Sequence, residues 1–213
     1  MDKTKIAVDI FNKLAQHYQD KFMDVSLYAA TFDRFCESIT KKNAEVLELA
    51  CGPGNITKYL LNKRPDLKIL GTDLAPNMIA LAEQNNPQAK FQLLDCREIN
   101  SLGKKFDALM CGFAFPYLTK EEGIQLIRDA AQVLNPGGVI YISTMEDDYK
   151  SSGWRKGSTG DEIYMHFHEA EYLTNALEEN GFELIDLQRL KQDDVVDLVI
   201  LAGKFATGAQ GHS

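Results

Sequence analysis

The first forty residues of the chain carry apolar side chains at helical spacing. In a first stretch they recur at every fourth position, as Ile6, Ile10, Leu14 and Tyr18. A second stretch carries Leu27, Tyr28, Phe32, Phe35 and Ile39. Intervals of three and four place such side chains on one face of an α-helix. The pattern therefore predicts two amphipathic helices before any strand.

From residue 46 onward, short apolar runs alternate with helical stretches. The runs typical of strands are 46–50, 68–73, 91–95, 106–111, 139–144, 182–190 and 195–204. The helical stretches between them are 56–62, 76–85, 120–134 and 169–179. Strands that alternate with helices, and that are largely apolar, predict a parallel sheet with helices on both of its faces.

The end of the chain departs from this alternation. Only residues 191–194 separate the last two predicted strands. A parallel crossover needs a dozen or more residues, so these two strands must pair antiparallel as a hairpin. The predicted fold is therefore α/β, a doubly wound seven-stranded sheet with six parallel strands and one antiparallel strand. We expect a helical cap over residues 1–43, a core domain over 44–205 and a disordered tail over 206–213.

A glycine-rich turn follows the first predicted strand. Its sequence runs from Glu48 to Gly54 as Glu-Leu-Ala-Cys-Gly-Pro-Gly. Such a turn lets the backbone approach a ligand closely and precedes the N–H groups of a helix N-terminus. The dinucleotide pattern G-x-G-x-x-G would require glycine at Thr57. A nicotinamide-dependent oxidoreductase is therefore an alternative that this turn disfavours.

Acidic residues end the next two predicted strands. Asp73 closes the second strand and Asp95 closes the third. In doubly wound proteins an acid at the tip of the second strand holds a ribose diol. Together with the glycine turn, these carboxylates predict a nucleoside-containing ligand at the carboxyl edge of the sheet.

With these motifs the sequence resembles the class I S-adenosylmethionine-dependent methyltransferases over about residues 44–204. The resemblance rests on 48–54, on Gly-Thr-Asp-Leu at 71–74, on Leu-Asp-Cys at 94–96, on Leu-Asn-Pro-Gly-Gly at 134–138, and on the closing hairpin. It implies a Rossmann-like fold and S-adenosyl-L-methionine as the cofactor. The family's commonest turn has glycine where this chain has Ala50, and alanine disfavours positive φ.

The resemblance also implies a role for individual residues. Asp73 would accept both ribose hydroxyls, Asp95 the adenine amine, and the Cys96 N–H would bond a ring nitrogen. The full set of implied cofactor-binding residues is Tyr18, Glu48, Ala50, Gly52, Gly54, Asp73, Leu74, Met78, Asp95, Cys96, Cys111 and Phe113. Leu74 and Met78 would sandwich the adenine, and Tyr18 would close over the cofactor.

The net charge and the residues that follow the fourth strand limit which class of molecule can be the methyl acceptor. With 23 basic and 31 acidic residues the formal net charge is −8, which disfavours a polyanionic nucleic-acid substrate. Family members that methylate base amines carry Asn/Asp-Pro-Pro-aromatic after the fourth strand. This chain has Gly-Phe-Ala-Phe-Pro-Tyr at 112–117. We therefore expect a small-molecule acceptor and no nucleic acid.

Two segments remain to build the acceptor site: the N-terminal helices and the glycine-interrupted loop 145–168. Tyr164, His166 and His168 alternate in this loop, which places them on one face of an extended segment. The candidate catalytic residues are His166, His168 and Tyr117. Alternatively, the face that Tyr164, His166 and His168 share is only a part of the protein surface without a catalytic role. Methyl transfer also needs no strong catalytic signature, so a non-catalytic module that senses the cofactor is a second alternative.

The remaining composition predicts no metal and no membrane. Four widely spaced cysteines, Cys36, Cys51, Cys96 and Cys111, form no C-x-x-C pair, and H-x-H at 166–168 lacks a third ligand nearby. No run reaches the roughly 18 apolar residues of a membrane span. The charged N-terminus does not resemble a signal peptide, so we expect a cytoplasmic protein.

Overall fold

The computed structural model describes residues 3–157, 159–192 and 194–206. Its first part contains the helices α1 (Lys3–Lys13), α2 (Ala15–Phe22) and α3 (Ala29–Ser38). The sequence pattern predicted two helices here. The chain breaks the first at Leu14, which has φ −101° and ψ 15°, and a short turn at Ser26–Tyr28 precedes α3. Neither break carries a glycine or proline, so the pattern gave no sign of them.

The rest of the chain alternates strands and helices. The strands are β1 (Glu45–Leu49), β2 (Lys68–Asp73), β3 (Lys90–Leu93), β4 (Phe106–Gly112), β5 (Leu134–Met145), β6 (Gly153–Lys156), β7 (Glu162–Met165), β8 (Phe182–Gln192) and β9 (Val195–Lys204). The helices are α4 (Asn55–Lys63), α5 (Pro76–Asn85), α6 (Lys120–Val133) and α7 (Ala170–Glu179). A kinked 3₁₀-helical segment follows β3 at Cys96–Leu102, and a single 3₁₀ turn follows β4 at Phe115–Tyr117.

Seven of the strands in the described part of the chain form one sheet, in the order β3-β2-β1-β4-β5-β9-β8. All neighbours pair parallel except β9, which is antiparallel to both β5 and β8. The predicted doubly wound sheet with a closing hairpin is confirmed. The strand order reverses between β1 and β4, and a ligand crevice forms at the carboxyl edge of such a reversal.

Helices cover both faces of the sheet because the central strands alternate their buried side chains. In β4, Leu109 and Cys111 pack toward α6 and α7, whereas Ala108 and Met110 pack toward α3 and α4. Phe32 and Phe35 of α3 are 2% and 0% exposed. Of the three helices in the predicted cap, α3 is thus part of the core, whereas α1 and α2 pack on α5.

The segment predicted as an acceptor loop contains a small hairpin of β6 and β7, with Trp154 opposite Tyr164. Helix α1 rests against this hairpin: Lys13 Nζ lies 3.1 Å from Asp161 Oδ1, and Lys3 Nζ lies 3.3 Å from the centre of the Tyr164 ring. The two segments expected to build the acceptor site therefore touch. Most of the predicted tail, residues 207–213, lies outside the described residues.

Candidate active site

A cleft opens at the carboxyl edge of the sheet, beside the point where the strand order reverses. Its empty space, including the part open to solvent, is about 840 Å³. Strand ends and the turns after them line the floor, Met78 of α5 one wall, and α1 the roof. The predicted residues that line it are Tyr18, Ala50, Gly52, Asp73, Leu74, Met78, Asp95, Cys96, Phe113 and Tyr117.

The glycine turn runs through three left-handed backbone positions. φ is +49° at Ala50, +53° at Gly52 and +77° at Gly54. Ala50 and Gly52 line the cleft. Gly54 lies behind them and packs on α5, because a Cβ there would lie 2.4 Å from Asn86 Nδ2. Gly54 is therefore needed to seat the turn on α5, and it is the other two positions that face a ligand.

Asp73 joins the end of β2 to this turn. Its Oδ2 accepts the Gly52 N–H at 2.9 Å, and its Oδ1 accepts the Ala75 N–H at 2.8 Å. A carboxylate oxygen has two acceptor positions, so each oxygen can accept one more donor from the cleft. Burial raises the pKa of Asp73, and these N–H groups partly oppose that shift. The side chain is thus held rigidly where a diol would need two acceptors.

The Asp95 carboxylate accepts more hydrogen bonds from the protein than the Asp73 carboxylate does. Arg97 donates its backbone N–H and its Nε to Oδ1, at 2.9 and 3.0 Å, and its Nη2 to Oδ2 at 2.6 Å. Burial opposes ionisation of Asp95, but these bonds outweigh it and hold its pKa below the usual value. Arg97 in turn reaches Glu122 Oε1 at 2.8 Å. Asp95 lines the cleft, yet the guanidinium takes most of the acceptor capacity that the resemblance assigned to an adenine amine.

Glu48 lies directly behind the turn and does not line the cleft. Its side chain is 1% exposed. Oε2 accepts a hydrogen bond from Thr57 Oγ1, while Oε1 has no hydrogen-bond partner in the described part of the chain. Burial raises the pKa of Glu48 to about 7, against the opposing bonds of Thr57. The carboxyl group therefore titrates near neutral pH.

Aromatic rings close the cleft from above. Phe11 of α1 stands between Tyr18 and Tyr117, with ring centres 5.8 and 5.2 Å away. Burial raises the pKa of Tyr18 to about 12 and that of Tyr117 further. Both hydroxyls keep their protons at neutral pH, so Tyr117, a catalytic candidate, is placed to donate a hydrogen bond.

The N-terminal helices were expected to help build the acceptor site, but the residues of α1 that form the roof were not singled out from the sequence. Its lining residues are Thr4, Ala7, Val8 and Phe11. They follow the i, i+3, i+4, i+7 spacing of one helix face. The signal was present, but the pattern alone does not say whether an apolar helix face covers a core or a cleft.

Phe113 holds an unusual conformation at the end of β4. Its φ is +59°, which is strained for a bulky residue. The Phe113 N–H donates to Ser143 O at 3.2 Å and to Ser143 Oγ at 3.1 Å. Its ring lies 5.3 Å from the ring of Tyr28, whose hydroxyl donates to the buried Asp197 at 2.7 Å. These contacts fix the ring at the cleft wall.

His168 lies outside the cleft lining, and the predicted catalytic role does not fit its geometry. It is 0% exposed. Nε2 donates to Phe115 O at 2.8 Å, so Nδ1 accepts from the Tyr172 hydroxyl. Burial lowers its pKa to about 4, and the neutral ring has no nitrogen left for a substrate proton. Its role is to brace the turn that carries Tyr117.

His166 lies next to it and also outside the cleft lining. Its ring stacks on Tyr149, with ring centres 5.8 Å apart, and Nδ1 lies 3.1 Å from the Tyr149 hydroxyl. Its backbone N–H donates to Pro116 O at 2.8 Å. Burial and nearby Lys3 lower its pKa. The predicted alternation does bring Tyr164, His166 and His168 together, with His166 4.9 Å from Tyr164 and 6.5 Å from His168.

The cysteines are free thiols, and one of the four lines the cleft. All four cysteines are free, and Cys111, expected beside the cofactor, is buried in the core. Cys96 alone lines the cleft. No group of three or more His, Cys, Asp and Glu residues in the described chain is arranged to hold a metal ion. Likewise, none of the described helices is both long and apolar enough to cross a bilayer.

The residues of the cleft fit S-adenosylmethionine. Asp73 supplies a rigid carboxylate for a diol, Leu74 and Met78 an apolar surface for a flat ring, and the glycine turn a closely approaching backbone. Asp73 also lowers the cost of bringing in a positive charge. A nucleoside that carries a positive charge matches this combination.

Comparisons with known proteins agree. A family model described as a methyltransferase domain matches residues 46–138. Trans-aconitate 2-methyltransferase of Variovorax paradoxus is 37% identical over 99 residues, which are 46% of this chain and 38% of that protein. An uncharacterized methyltransferase of Oceanobacillus iheyensis is 31% identical over 146 residues, 65% of this chain and 67% of that protein.

Solved structures show the same fold. Magnesium protoporphyrin IX methyltransferase from Synechocystis, with bound S-adenosylmethionine, superposes with a TM-score of 0.74 at 17% identity, covering 96% of this chain and 98% of that one. The chain spans only 38% to 61% of the length of several other curated relatives. No comparison supports the nicotinamide alternative. The chain belongs to the class I S-adenosylmethionine-dependent methyltransferase family.

Proposed function

We propose that the chain transfers the methyl group of S-adenosylmethionine to a small-molecule acceptor. The observation that carries the proposal is the rigid Asp73 carboxylate, bonded to the glycine turn at Gly52 and facing the cleft. The relatives support the reaction class, since one is named for a small tricarboxylate, trans-aconitate. The net charge of −8 favours a small molecule over a nucleic acid.

Asp73, Leu74 and Met78 would hold the ribose and adenine, and Ala50, Gly52 and Phe113 the methionine end. Asp95 would contribute through its place at the cleft edge, although Arg97 occupies it. When bound, the cofactor supplies a methyl group on a positively charged sulfur, activated for in-line displacement. No residue of the chain needs to activate that methyl group.

The chain's own contribution is alignment and exclusion of water. Phe11, Tyr18 and Tyr117 form an aromatic roof over the cleft. Holding two reactants in one dry geometry can supply several kcal/mol of rate acceleration, about 7 to 11 in favourable cases. Proton transfer by a histidine is not part of this proposal, because His168 has both nitrogens bonded and His166 is not among the described residues that line the cleft.

The test is a titration of the purified chain with S-adenosylmethionine and S-adenosylhomocysteine, with NAD and NADP in parallel. We expect binding of the first two only. Asp73→Asn keeps one acceptor oxygen and should weaken binding about 10-fold to 100-fold, the range for a hydrogen bond to a charged group. Glu83→Gln, on the exposed side of α5, is the matched control and should bind normally.

A second measurement separates an enzyme from a cofactor-sensing module. Radiolabelled S-adenosylmethionine is incubated with the chain and a small-molecule extract of cells. We expect label in a metabolite. Binding of S-adenosylmethionine without any label transfer would favour the sensing module, and absence of binding would overturn the whole proposal.

A further inference from the structure

The part of the cleft beyond the cofactor residues has an unusual composition for a family with a polycarboxylate-methylating relative. Its walls come from α1 and from the end of β4 with the following turn. In α1 they are Thr4, Ala7, Val8 and Phe11, of which only Thr4 is polar. On the other side they are Ala114, Tyr117 and Leu118. No lysine, arginine or histidine is among the described residues that line the cleft.

Three lysines on α1 and α6 contact groups other than the cleft lining. Lys3 lies on the outer ring of Tyr164 at 3.3 Å, Lys13 pairs with Asp161 at 3.1 Å, and Lys120 lies 4.4 Å from the ring centre of Tyr172. In α1 the residues Ala7, Val8 and Phe11 line the cleft, while the charged residues Lys3, Lys5, Asp9 and Lys13 are exposed. The charges that do line the cleft, Asp73 and Asp95, are negative.

These surroundings penalise an anionic acceptor twice. A carboxylate in the cleft would lose water without gaining a cationic partner, and burial of an unpaired charge is costly. It would also lie near the Asp73 carboxylate, which pairs with no cationic side chain among the described residues, whereas Asp95 is paired with Arg97. The positive sulfur of S-adenosylmethionine would offset part of this repulsion, but no cationic side chain of the described residues lines the cleft to offset the rest.

Two tyrosine side chains can donate to a polar atom of the acceptor. Tyr18 and Tyr117 line the cleft, and neither hydroxyl makes a hydrogen bond to another of the described residues, unlike that of Tyr28, which bonds to Asp197. Burial raises the pKa of both groups, so both act as donors at neutral pH. An uncharged oxygen is the acceptor atom that suits them.

We infer that the methyl acceptor is an uncharged, largely apolar molecule, planar enough to lie against Phe11, with an oxygen that accepts hydrogen bonds from Tyr18 and Tyr117. This inference rests on the proposed function. It differs from transfer of the substrate named for the Variovorax paradoxus relative, since trans-aconitate carries several carboxylates and no apolar ring. The geometry of the aromatic roof and the absence of a lining cation support it together.

The experiment measures ligand binding to the chain saturated with S-adenosylhomocysteine, by calorimetry at pH 7. The probes are 2-naphthol, 2-naphthoate and trans-aconitate, of which the first two share one ring system and differ in charge. We expect 2-naphthol to bind at least about tenfold more tightly than either carboxylate, because only it avoids burial of an unpaired charge. Equal or tighter binding of a carboxylate, or no binding of 2-naphthol, overturns the inference.

Variants locate the effect. Tyr117→Phe should weaken binding of 2-naphthol about fivefold to tenfold, as expected for one lost hydrogen bond, and leave binding of unsubstituted naphthalene unchanged. Val8→Lys should strengthen binding of 2-naphthoate, and Gln16→Lys, at an exposed position of α2, should not. An unchanged affinity of Tyr117→Phe for 2-naphthol contradicts the role given to that hydroxyl.

S-adenosylhomocysteine binding, measured first, keeps the two proposals apart. If the chain does not bind it, the proposed function fails and the acceptor panel is not interpreted. If it binds and the carboxylates are preferred, the proposed function stands and only the inference on the acceptor fails. Each variant is included only if S-adenosylhomocysteine stabilises it as it does the unaltered chain.

Discussion

At position 50 an alanine adopts φ +49° in the turn that faces the cleft. The left-handed region costs a residue with a Cβ about 1 to 2 kcal/mol. The Asp73 bond to Gly52 and the Cys51 N–H bond to Thr72 O, both at 2.9 Å, hold the turn in place. The family pattern places glycine at this position, so the chain carries strain that the pattern normally avoids.

Ala50→Gly should therefore raise the free energy of unfolding by about 0.5 to 1 kcal/mol, the strain relieved less the added flexibility of the unfolded chain. Urea denaturation measures the change. Ala131→Gly in α6, where the backbone is helical, is the control and should lower stability by about 1 kcal/mol. A similar loss in both variants would show that position 50 is unstrained.

Residue by residue, sequence reasoning succeeded where a role follows from position along the chain. Asp73 had to end β2 because its strand is apolar and the glycine turn is next to it. It failed for His168 and Cys111. A strand or an extended segment presents alternate residues to opposite sides, and only the packed structure decides which side meets the cleft.

Among the elements, α1 most changes the site that the sequence predicted. Asn12 ties it to α5: its Oδ1 accepts the Asn77 N–H and its main-chain oxygen accepts the Asn77 Nδ2–H, each at 2.8 Å. Lys13 ties it to the β6–β7 hairpin through Asp161. One helix thereby links the cofactor side of the cleft to the acceptor side, and its apolar face becomes the roof of both.

Phe11→Ala tests this roof. Because Phe11 is only half-buried, we expect a stability loss of about 1 to 2 kcal/mol, below the range for a fully buried phenylalanine. S-adenosylhomocysteine should bind less tightly, by about fivefold, since the cleft would admit water. Ile10→Ala, half-buried on the same helix but outside the cleft lining, should lose stability without losing affinity.

In the whole molecule two buried groups give opposite responses to pH. Glu48 has its pKa raised to about 7, so between about pH 4.5 and 7 the folded chain binds a proton that the unfolded chain has lost. Stability falls as pH rises through this window. His168 has its pKa lowered to about 4, so between about pH 4 and 6.5 the unfolded chain binds the extra proton and stability rises with pH.

Glu48→Gln should remove the contribution that makes the free energy of unfolding fall as pH rises. Relative to the unaltered chain, the variant should gain stability as pH increases from 5 to 8, by about 2 to 3 kcal/mol at most. Chemical denaturation at four or five pH values measures the difference. A difference that does not change with pH would mean that Glu48 is ionised in the folded chain throughout.

His168→Gln should remove the contribution that makes the free energy of unfolding rise with pH. Its loss of stability relative to the unaltered chain should be largest above pH 6.5 and shrink as pH falls toward 4. Above pH 6.5 the loss should be about 2 kcal/mol, because Phe115 O and the Tyr172 hydroxyl lose good partners. The pH profile of methyl transfer should keep its shape; a lost limb would restore His168 as a catalytic base.

The sequence by itself determined the sheet, its order of motifs and the acidic strand ends, because periodicity and turn residues are local properties that a single chain displays. Tertiary structure decided what faces the ligand. Arg97 donates hydrogen bonds to Asp95 and takes up its acceptor positions. His168 bonds to the turn that carries Tyr117, and α1 covers the cleft. Each of these depends on contacts between segments far apart in the chain, which no local pattern specifies.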